Sequence, residues 1–159
     1  DQGGMTIEIA GIDQVQRALT ELPEKIVARA FFKGLQQAGN VIENAVSVRT
    51  PIRAIEFMGP LAEGAGKPGA GALRLALTQL VTLDSRFRGG VVAVGFGRLG
   101  FIARFVEYGH RMVTHRPGHK EIGEVRAYPF MRPALMACAE SAQEAFKAAL
   151  SEWLASGEM

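Results

Sequence analysis

The stretch VVAVGFGRLGFIARFVEYG, residues 91–109, decides how this chain of 159 residues is interpreted. Its apolar beginning, rich in valine, predicts a strand over Val91–Phe96. The segment Phe101–Tyr108 follows with aromatic side chains at helical spacing, which predicts a short helix. Gly109 is a natural end for that helix, since glycine readily adopts the left-handed conformation found there.

Three glycines between the strand and the helix, Gly95, Gly97 and Gly100, have the spacing G-x-G-x-x-G. In dinucleotide-binding folds this spacing opens a long helix of a βαβ unit, and a carboxylate about 20 residues on holds the ribose. Here the predicted helix has only two turns, and Glu121 falls in a loop that contains Pro and Gly. We therefore interpret the glycines as a turn between a strand and a short helix, and expect no cofactor.

The residues before this stretch predict its partner strand. The segment Ala72–Leu83 favours a short helical turn that passes into a strand. A turn at Arg88-Gly89-Gly90 would then let Leu77–Arg86 pair with Val91–Phe96 as an antiparallel hairpin.

Two long amphipathic helices are predicted, over Glu24–Val48 and Phe130–Ala155. Their apolar residues recur every three or four positions, which places each set on one helical face. These sets are Val27, Phe31, Leu35, Ala38, Ile42 and Ala45 in the first helix, and Met131, Leu135, Cys138, Ala142, Phe146, Ala149 and Trp153 in the last. Gly34 and Gly39 weaken the first helix, so we expect close packing against another element there.

Shorter elements complete the predicted order. A strand over Thr6–Ala10 and a helix over Gln14–Leu22 precede the first long helix. Long flexible loops are predicted at residues 51–72 and 110–127, the second as a loose hairpin or an extended arm, and we expect both to become ordered on assembly. The predicted fold class is α+β, with a small antiparallel sheet packed against two long helices. Residues 1–4 are expected to be an expression remnant, and residues 5–159 a single domain.

Composition narrows the function classes only slightly. Apolar residues make up 48% of the chain, the formal net charge is +2, and no apolar run approaches the length of a membrane span. Residues 86–126 are locally basic, with eight Lys or Arg against three Glu. A solvated surface is the simpler interpretation of that charge, and contact with nucleic acid is the alternative.

Chemically reactive residues form no predicted catalytic constellation. His110, His115 and His119 could ligate a metal, but their spacing matches no compact zinc pattern, so no metal site is expected. The single cysteine, Cys138, lies on an apolar stripe, which indicates a buried thiol. The serines lie in no nucleophile-elbow context, and Glu56 and Glu63 lie in a loop without a rigid frame. The sequence therefore predicts that the protein is not an enzyme.

Two phrases carry a resemblance to a known family: Phe105-Val106-Glu107-Tyr108-Gly109, and the segment from Tyr128 to Leu135, YPFMRPAL. They resemble the tail-component proteins (also called tail-completion or neck proteins) of long-tailed double-stranded DNA bacteriophages, often encoded by prophages. Further matches follow in family order along nearly all of Met5 to Leu154. They are Gly11, Leu19, Leu22 and Pro23; Thr50-Pro51; Gly71-Ala72-Leu73-Arg74; and Val94-Gly95.

Two features depart from the family pattern. About twenty residues separate Pro51 from the Gly-x-Leu phrase, where the family passes quickly. His110 stands where the family commonly has Thr. The departures concern contacts made by the two loops.

The resemblance implies a structural, non-enzymatic virion protein: a head–tail connector or tail-completion component that assembles as a ring. Its implied partners are copies of itself, neighbouring neck and tail proteins, and DNA in the channel, with no membrane. Its implied location is the host bacterial cytoplasm during assembly and then the tail or neck of the virion. The alternative is a nucleic-acid-binding module that uses the basic segment 86–126.

The family phrases also predict site residues, in the core or at an interface. They are Phe105, Glu107, Tyr108, Gly109, Pro129, Phe130, Arg132 and Pro133. Phe130 is expected to anchor the last helix, with Phe105 and Tyr108 packed against it. Glu107 is expected to cap a helix or to meet a positive partner such as Arg132. Contacts with DNA or a protein partner are predicted for Arg111, Arg116, Lys120 and Arg126.

Overall fold

The computed structural model describes residues 24–52, 71–84, 89–113 and 120–156. The predicted strand Thr6–Ala10 and helix Gln14–Leu22 lie outside these ranges, and so does most of the predicted loop at 51–72. The second predicted loop is described at both of its ends.

Helices and strands follow the predicted order. The helices are α1 (Glu24–Arg49), α2 (Ala72–Leu75), α3 (Gly100–Tyr108) and α4 (Met131–Ser156), with a 3-10 turn at Gly97–Leu99. The strands are β1 (Thr78–Leu83), β2 (Gly90–Gly95), β3 (His110–Val113) and β4 (Glu121–Val125). β1 pairs with β2 and β3 with β4, so the strands form two antiparallel sheets of two strands. The α+β class with two long helices is confirmed, and of the two alternatives for residues 110–127 the hairpin is found.

The chain divides into two compact units. The first contains Asp1–Ala45, Gln79–Val94 and Leu135–Met159, and the second contains Val46–Thr78 and Gly95–Ala134. The single domain over residues 5–159 stays a prediction.

The core of the first unit brings α1 and α4 close together. The rings of Phe31 and Phe146 lie 5.9 Å apart between centroids, in a tilted arrangement. Gly34 faces the same ring, and a Cβ added there would lie 2.8 Å from two of its carbon atoms. A Cβ on Gly39 would overlap Gln79 and Val92 of the β1–β2 sheet. The expectation of close packing at both glycines is confirmed.

Most of the predicted core positions in the long helices are buried. In α1 the innermost residue near the end is Val46, while Ala45 is half-buried. In α4 the buried positions include Ala134 and Leu150, while Leu135 and Ala149 are half-buried. Because neighbouring positions differ by about 100° around a helix, spacing alone leaves such edge positions undecided.

The second unit is built around α3 and the β3–β4 hairpin. His110 pairs with Val125 and Met112 with Gly123, and the register then skips Ile122. Such an extra residue is a β-bulge, which increases the local twist of the hairpin. At the start of the unit, the N–H of Gly71 donates to the carbonyl of Ile52 over 2.6 Å. This bond brings together the two described ends of the segment 53–70.

Candidate functional site

The carboxylate of Glu107, on α3, binds the N-terminus of α4. One carboxylate oxygen accepts the N–H of Phe130 over 2.7 Å and that of Met131 over 2.9 Å. The other accepts the N–H of Arg132 over 3.1 Å. The side chain is 6% exposed. A negative group at a helix N-terminus is favourable, because the first N–H groups lack partners within the helix and carry partial positive charge.

Every early N–H of α4 is thereby accounted for. Pro133 has no N–H to satisfy, and the N–H of Ala134 donates to the carbonyl of Phe130 over 3.2 Å. Proline in the first turn of a helix is harmless for this reason. Of the two predicted roles of Glu107, the cap is the one found, and its contact with Arg132 is to the backbone.

A sharp turn at Gly109 places Glu107 beside α4. Gly109 has φ 70° and ψ 173°, a conformation open mainly to glycine. A Cβ on this residue would lie 2.5 Å from the carbonyl oxygen of Val125. The N–H of Tyr128 donates to the carbonyl of Val106 over 2.7 Å and binds the returning chain to α3. The two family phrases, separated in sequence by residues 110–127, therefore form one junction.

Phe130 fixes the junction to the core of the second unit. Its side chain is 1% exposed, and its ring meets that of Phe96 edge-on with 5.7 Å between centroids. Its predicted role as anchor of the last helix is confirmed. The prolines at 129 and 133 are exposed, as is the side chain of Arg132.

The predicted packing of Phe105 and Tyr108 against Phe130 is wrong. The face of α3 that is buried consists of Ile102, Ala103, Val106 and Glu107. Once Glu107 must point at α4, the helix cannot turn the aromatic positions inwards, since they lie on its opposite side. Phe105 is 37% exposed and Tyr108 is 60% exposed.

The outward face of α3 is an aromatic stripe with one arginine. We define this aromatic stripe as Phe101, Arg104, Phe105 and Tyr108, spaced at three and four residues along one side of the helix. Phe101 is 55% exposed, and its ring meets Phe105 edge-on at 6.1 Å. The ring of His110 lies 4.6 Å from that of Phe105. His110 therefore lies at the end of the aromatic stripe.

Most of the residues predicted to contact DNA or a protein partner lie on or near the β3–β4 hairpin that follows α3. Arg111, Lys120 and Arg126 are exposed, and Arg116 lies outside the described residues. Arg111 also forms an ion pair with Glu121 over 3.7 Å between exposed side chains. Exposed pairs of this kind contribute little to stability.

The glycine motif and Cys138, the other candidates for binding or catalysis, both have structural roles in the fold. Gly95 ends β2, Gly97 lies in the 3-10 turn with φ 46°, and Gly100 begins α3. β2 pairs antiparallel with β1, so the interpretation as a strand-to-helix turn is confirmed. The thiol of Cys138 is buried, as predicted.

Of the three histidines, only His110 falls within the ranges that the structure describes. Within those ranges, no group of three His, Cys, Asp or Glu side chains is arranged to hold a metal ion. None of the helices described combines the length and apolar character that crossing a bilayer requires.

No protein-family model, no curated protein and no solved structure matches this chain. The resemblance to phage tail-component proteins therefore depends on the quoted sequence phrases.

The outward aromatic stripe was missed because its spacing resembles a core-facing pattern. A signal for it is present in the sequence, because Ile102, Ala103 and Val106 form a second apolar stripe on the other side of the same helix. Two apolar stripes on one short helix indicate that one of them faces outwards.

Proposed function

We propose that this chain is a structural virion protein of a phage or prophage, a head–tail connector or tail-completion component that assembles as a ring of identical subunits. It acts by shape and surface contact and catalyses no reaction. Its partners are further copies of itself and the neighbouring neck and tail proteins.

The observation that carries the proposal is the junction formed by the two family phrases. FVEYG supplies the capping carboxylate and the glycine turn, while YPFMRP supplies the anchored phenylalanine and the three N–H groups. The residues by which the chain resembles the family thus have one shared physical task, which is to hold α3 against the start of α4. The same junction leaves the aromatic stripe facing solvent.

An exposed aromatic surface supports a role in assembly. Large aromatic side chains cost free energy when they stay in water, and soluble proteins present them together chiefly where a partner binds. The helix that carries this surface, α3, is held to the start of α4 by the carboxylate of Glu107, and a contact surface on a fixed element loses less entropy on binding.

Deletion of the gene from the phage or prophage that carries it tests the proposal. Induced particles imaged by electron microscopy are expected to separate into filled heads and free tails. Supplying the wild-type gene in trans should restore joined particles, and the protein should then be found in purified virions. Normal joined particles from the deletion strain would contradict the proposal.

The nucleic-acid-binding alternative has one observation in its favour. The second unit has exposed basic side chains, Arg104 and Arg111 among them, close in sequence to exposed aromatic ones, a combination that also suits contacts with phosphates and bases. The salt dependence of DNA binding separates the two functions.

A further inference from the structure

Charge is distributed unevenly between the two units. Among the described residues of the second unit, eight are Lys or Arg and three are Glu. Among the described residues of the first unit, four are Lys or Arg and six are Asp or Glu. The overall charge of +2 conceals this asymmetry. A molecule with opposite charges on two different surfaces attracts a second copy head to tail.

The second unit, which has the excess of positive charge, includes the aromatic stripe. Arg104 lies within the stripe, one turn from Phe101 and from Tyr108. Arg98 and Arg111, both exposed, lie just before and just after α3 in the chain. The surface therefore combines apolar area with positive charge, in the proportions found at many protein interfaces.

The negative side includes an exposed face of α4. We define the acidic stripe as Met136, Glu140 and Glu144, which are spaced four residues apart and lie on one side of the helix. Met136 is 73% exposed, and both glutamates are exposed. An exposed methionine beside two carboxylates is a suitable partner for aromatic rings and an arginine, since its thioether packs well on ring edges.

We propose that the aromatic stripe of one copy of this chain binds the acidic stripe of the next copy. Arg104 then faces Glu140 and Glu144, and the aromatic rings cover Met136. The two stripes are different surfaces, so each copy can bind one neighbour by each of them. Head-to-tail contacts of this kind produce closed rings or open filaments. This inference rests on the proposed function in one respect: it names the surfaces by which the proposed ring would form.

The size of the stripe predicts the strength of a single contact. At about 200 Å² for each aromatic side chain, the exposed parts of the three rings amount to roughly 300 Å². A standard protein interface buries about 800 Å² on each partner. A single pair of copies should therefore associate weakly, and a closed ring should be much more stable than an open dimer because every copy is held twice.

Sedimentation velocity on the purified full chain tests the contact. At low salt and concentrations up to about 1 mM, the wild type should associate, and added salt should weaken the association because it screens charge. Arg104→Glu should weaken it tenfold or more, since the like charges then face each other. Glu144→Arg should have the same effect. Arg29→Glu, an exposed change of equal charge on α1, is the control and should leave association unchanged.

Mixing the two variants distinguishes a head-to-tail contact from a symmetric one. Arg104→Glu retains a normal acidic stripe, and Glu144→Arg retains a normal aromatic stripe. The mixture should associate again and grow beyond dimers, because the two unchanged stripes attract each other and the two charge-reversed stripes also carry opposite charges. The double variant with both reversals should associate with itself again.

Several outcomes would overturn the inference. They are a wild type that stays monomeric throughout, variants that associate as the wild type does, and a mixture that forms no dimer. A further one is oligonucleotide binding that Arg104→Glu abolishes while association is unaffected, which would assign the stripe to nucleic acid. Failure here leaves the proposed function open, because the deletion strain tests it separately. Intact particles from that strain, with association as described, would reject the function and retain the contact.

Discussion

At the scale of single residues, Glu107 and Gly109 decide the shape of the second unit. The carboxylate of Glu107 binds three N–H groups of α4, and the backbone of Gly109 lets the chain reverse directly after α3. The sequence marked both residues in advance, because they belong to the same family phrase, FVEYG. Which group Glu107 would bind could not be known, because its partners lie 23 to 25 residues further along the chain.

Replacement of Glu107 should destabilise the protein, and the amount depends on how many side-chain oxygen atoms the new residue has to accept hydrogen bonds. Glu107→Ala leaves three N–H groups without acceptors and should lower the free energy of unfolding by about 3 kcal/mol. Glu107→Gln keeps one acceptor and loses the charge, so a loss of about 1–2 kcal/mol is expected. Urea unfolding followed by circular dichroism measures both values. Glu144→Gln, an exposed control on α4, should change stability by less than about 0.5 kcal/mol.

The two glycines at the ends of α3 form a matched pair. Gly109→Ala forces a Cβ into a positive-φ conformation and against the carbonyl of Val125, and should cost about 2–4 kcal/mol. Gly100 has helical φ −58° and ψ −33° with open space around it, so Gly100→Ala should leave stability unchanged or raise it by up to about 1 kcal/mol. Thermal unfolding of both variants tests the contrast. Equal effects would mean that Gly109 does not require its glycine conformation.

At the scale of elements, α3 shows that one spacing pattern is compatible with two different buried faces of a helix. Phe101, Phe105 and Tyr108 form a regular stripe, and so do the smaller residues Ile102 and Val106 beside it. Hydrophobicity favours burial of the aromatic set. The buried set is the other one, since the cap by Glu107 fixes the rotation of the helix. The sequence predicted this helix and its ends, and the tertiary contact chose its inward face.

Alanine substitution of two phenylalanines measures this choice of face. Phe130→Ala removes a fully buried ring and its edge contact with Phe96, so a loss of about 3–5 kcal/mol is expected. Phe101→Ala removes an exposed ring and should cost less than about 1 kcal/mol, while it weakens self-association. Chemical denaturation gives the first quantity and sedimentation the second. A loss below 1 kcal/mol for Phe130→Ala would place that ring at an interface.

At the scale of the whole molecule, the uneven charge of the two units matters more than the net charge. Composition gives only +2, and the locally basic segment 86–126 was visible in the sequence. The exposure of aromatic rings among these basic residues could not be foreseen, because helical spacing of aromatic residues is equally typical of a buried face. The acidic stripe on α4 likewise emerges only once the buried side of that helix is known.

Binding of duplex DNA distinguishes an assembly protein from a nucleic-acid module. An assembly protein with this net charge should bind a labelled duplex with a dissociation constant of about 10⁻⁴ M or weaker at physiological salt. Fluorescence anisotropy from low to high salt gives the number of phosphate contacts from the slope of log K against log salt. Tight binding with several contacts, reduced by about one contact in each of Arg111→Glu and Arg126→Glu, would favour the nucleic-acid module.

The sequence by itself determined the kinds and order of the described elements outside residues 110–127, where it left a hairpin and an extended arm both open. Apolar periodicity marks the long helices, and glycine and proline mark where elements end, because these are local properties of the chain. The tertiary structure decided which stripe of α3 is buried, what Glu107 binds, and that α1 approaches α4 at Gly34. Those outcomes depend on groups far apart in the sequence, whose meeting is set by packing of the complete core and by the need to satisfy buried polar groups.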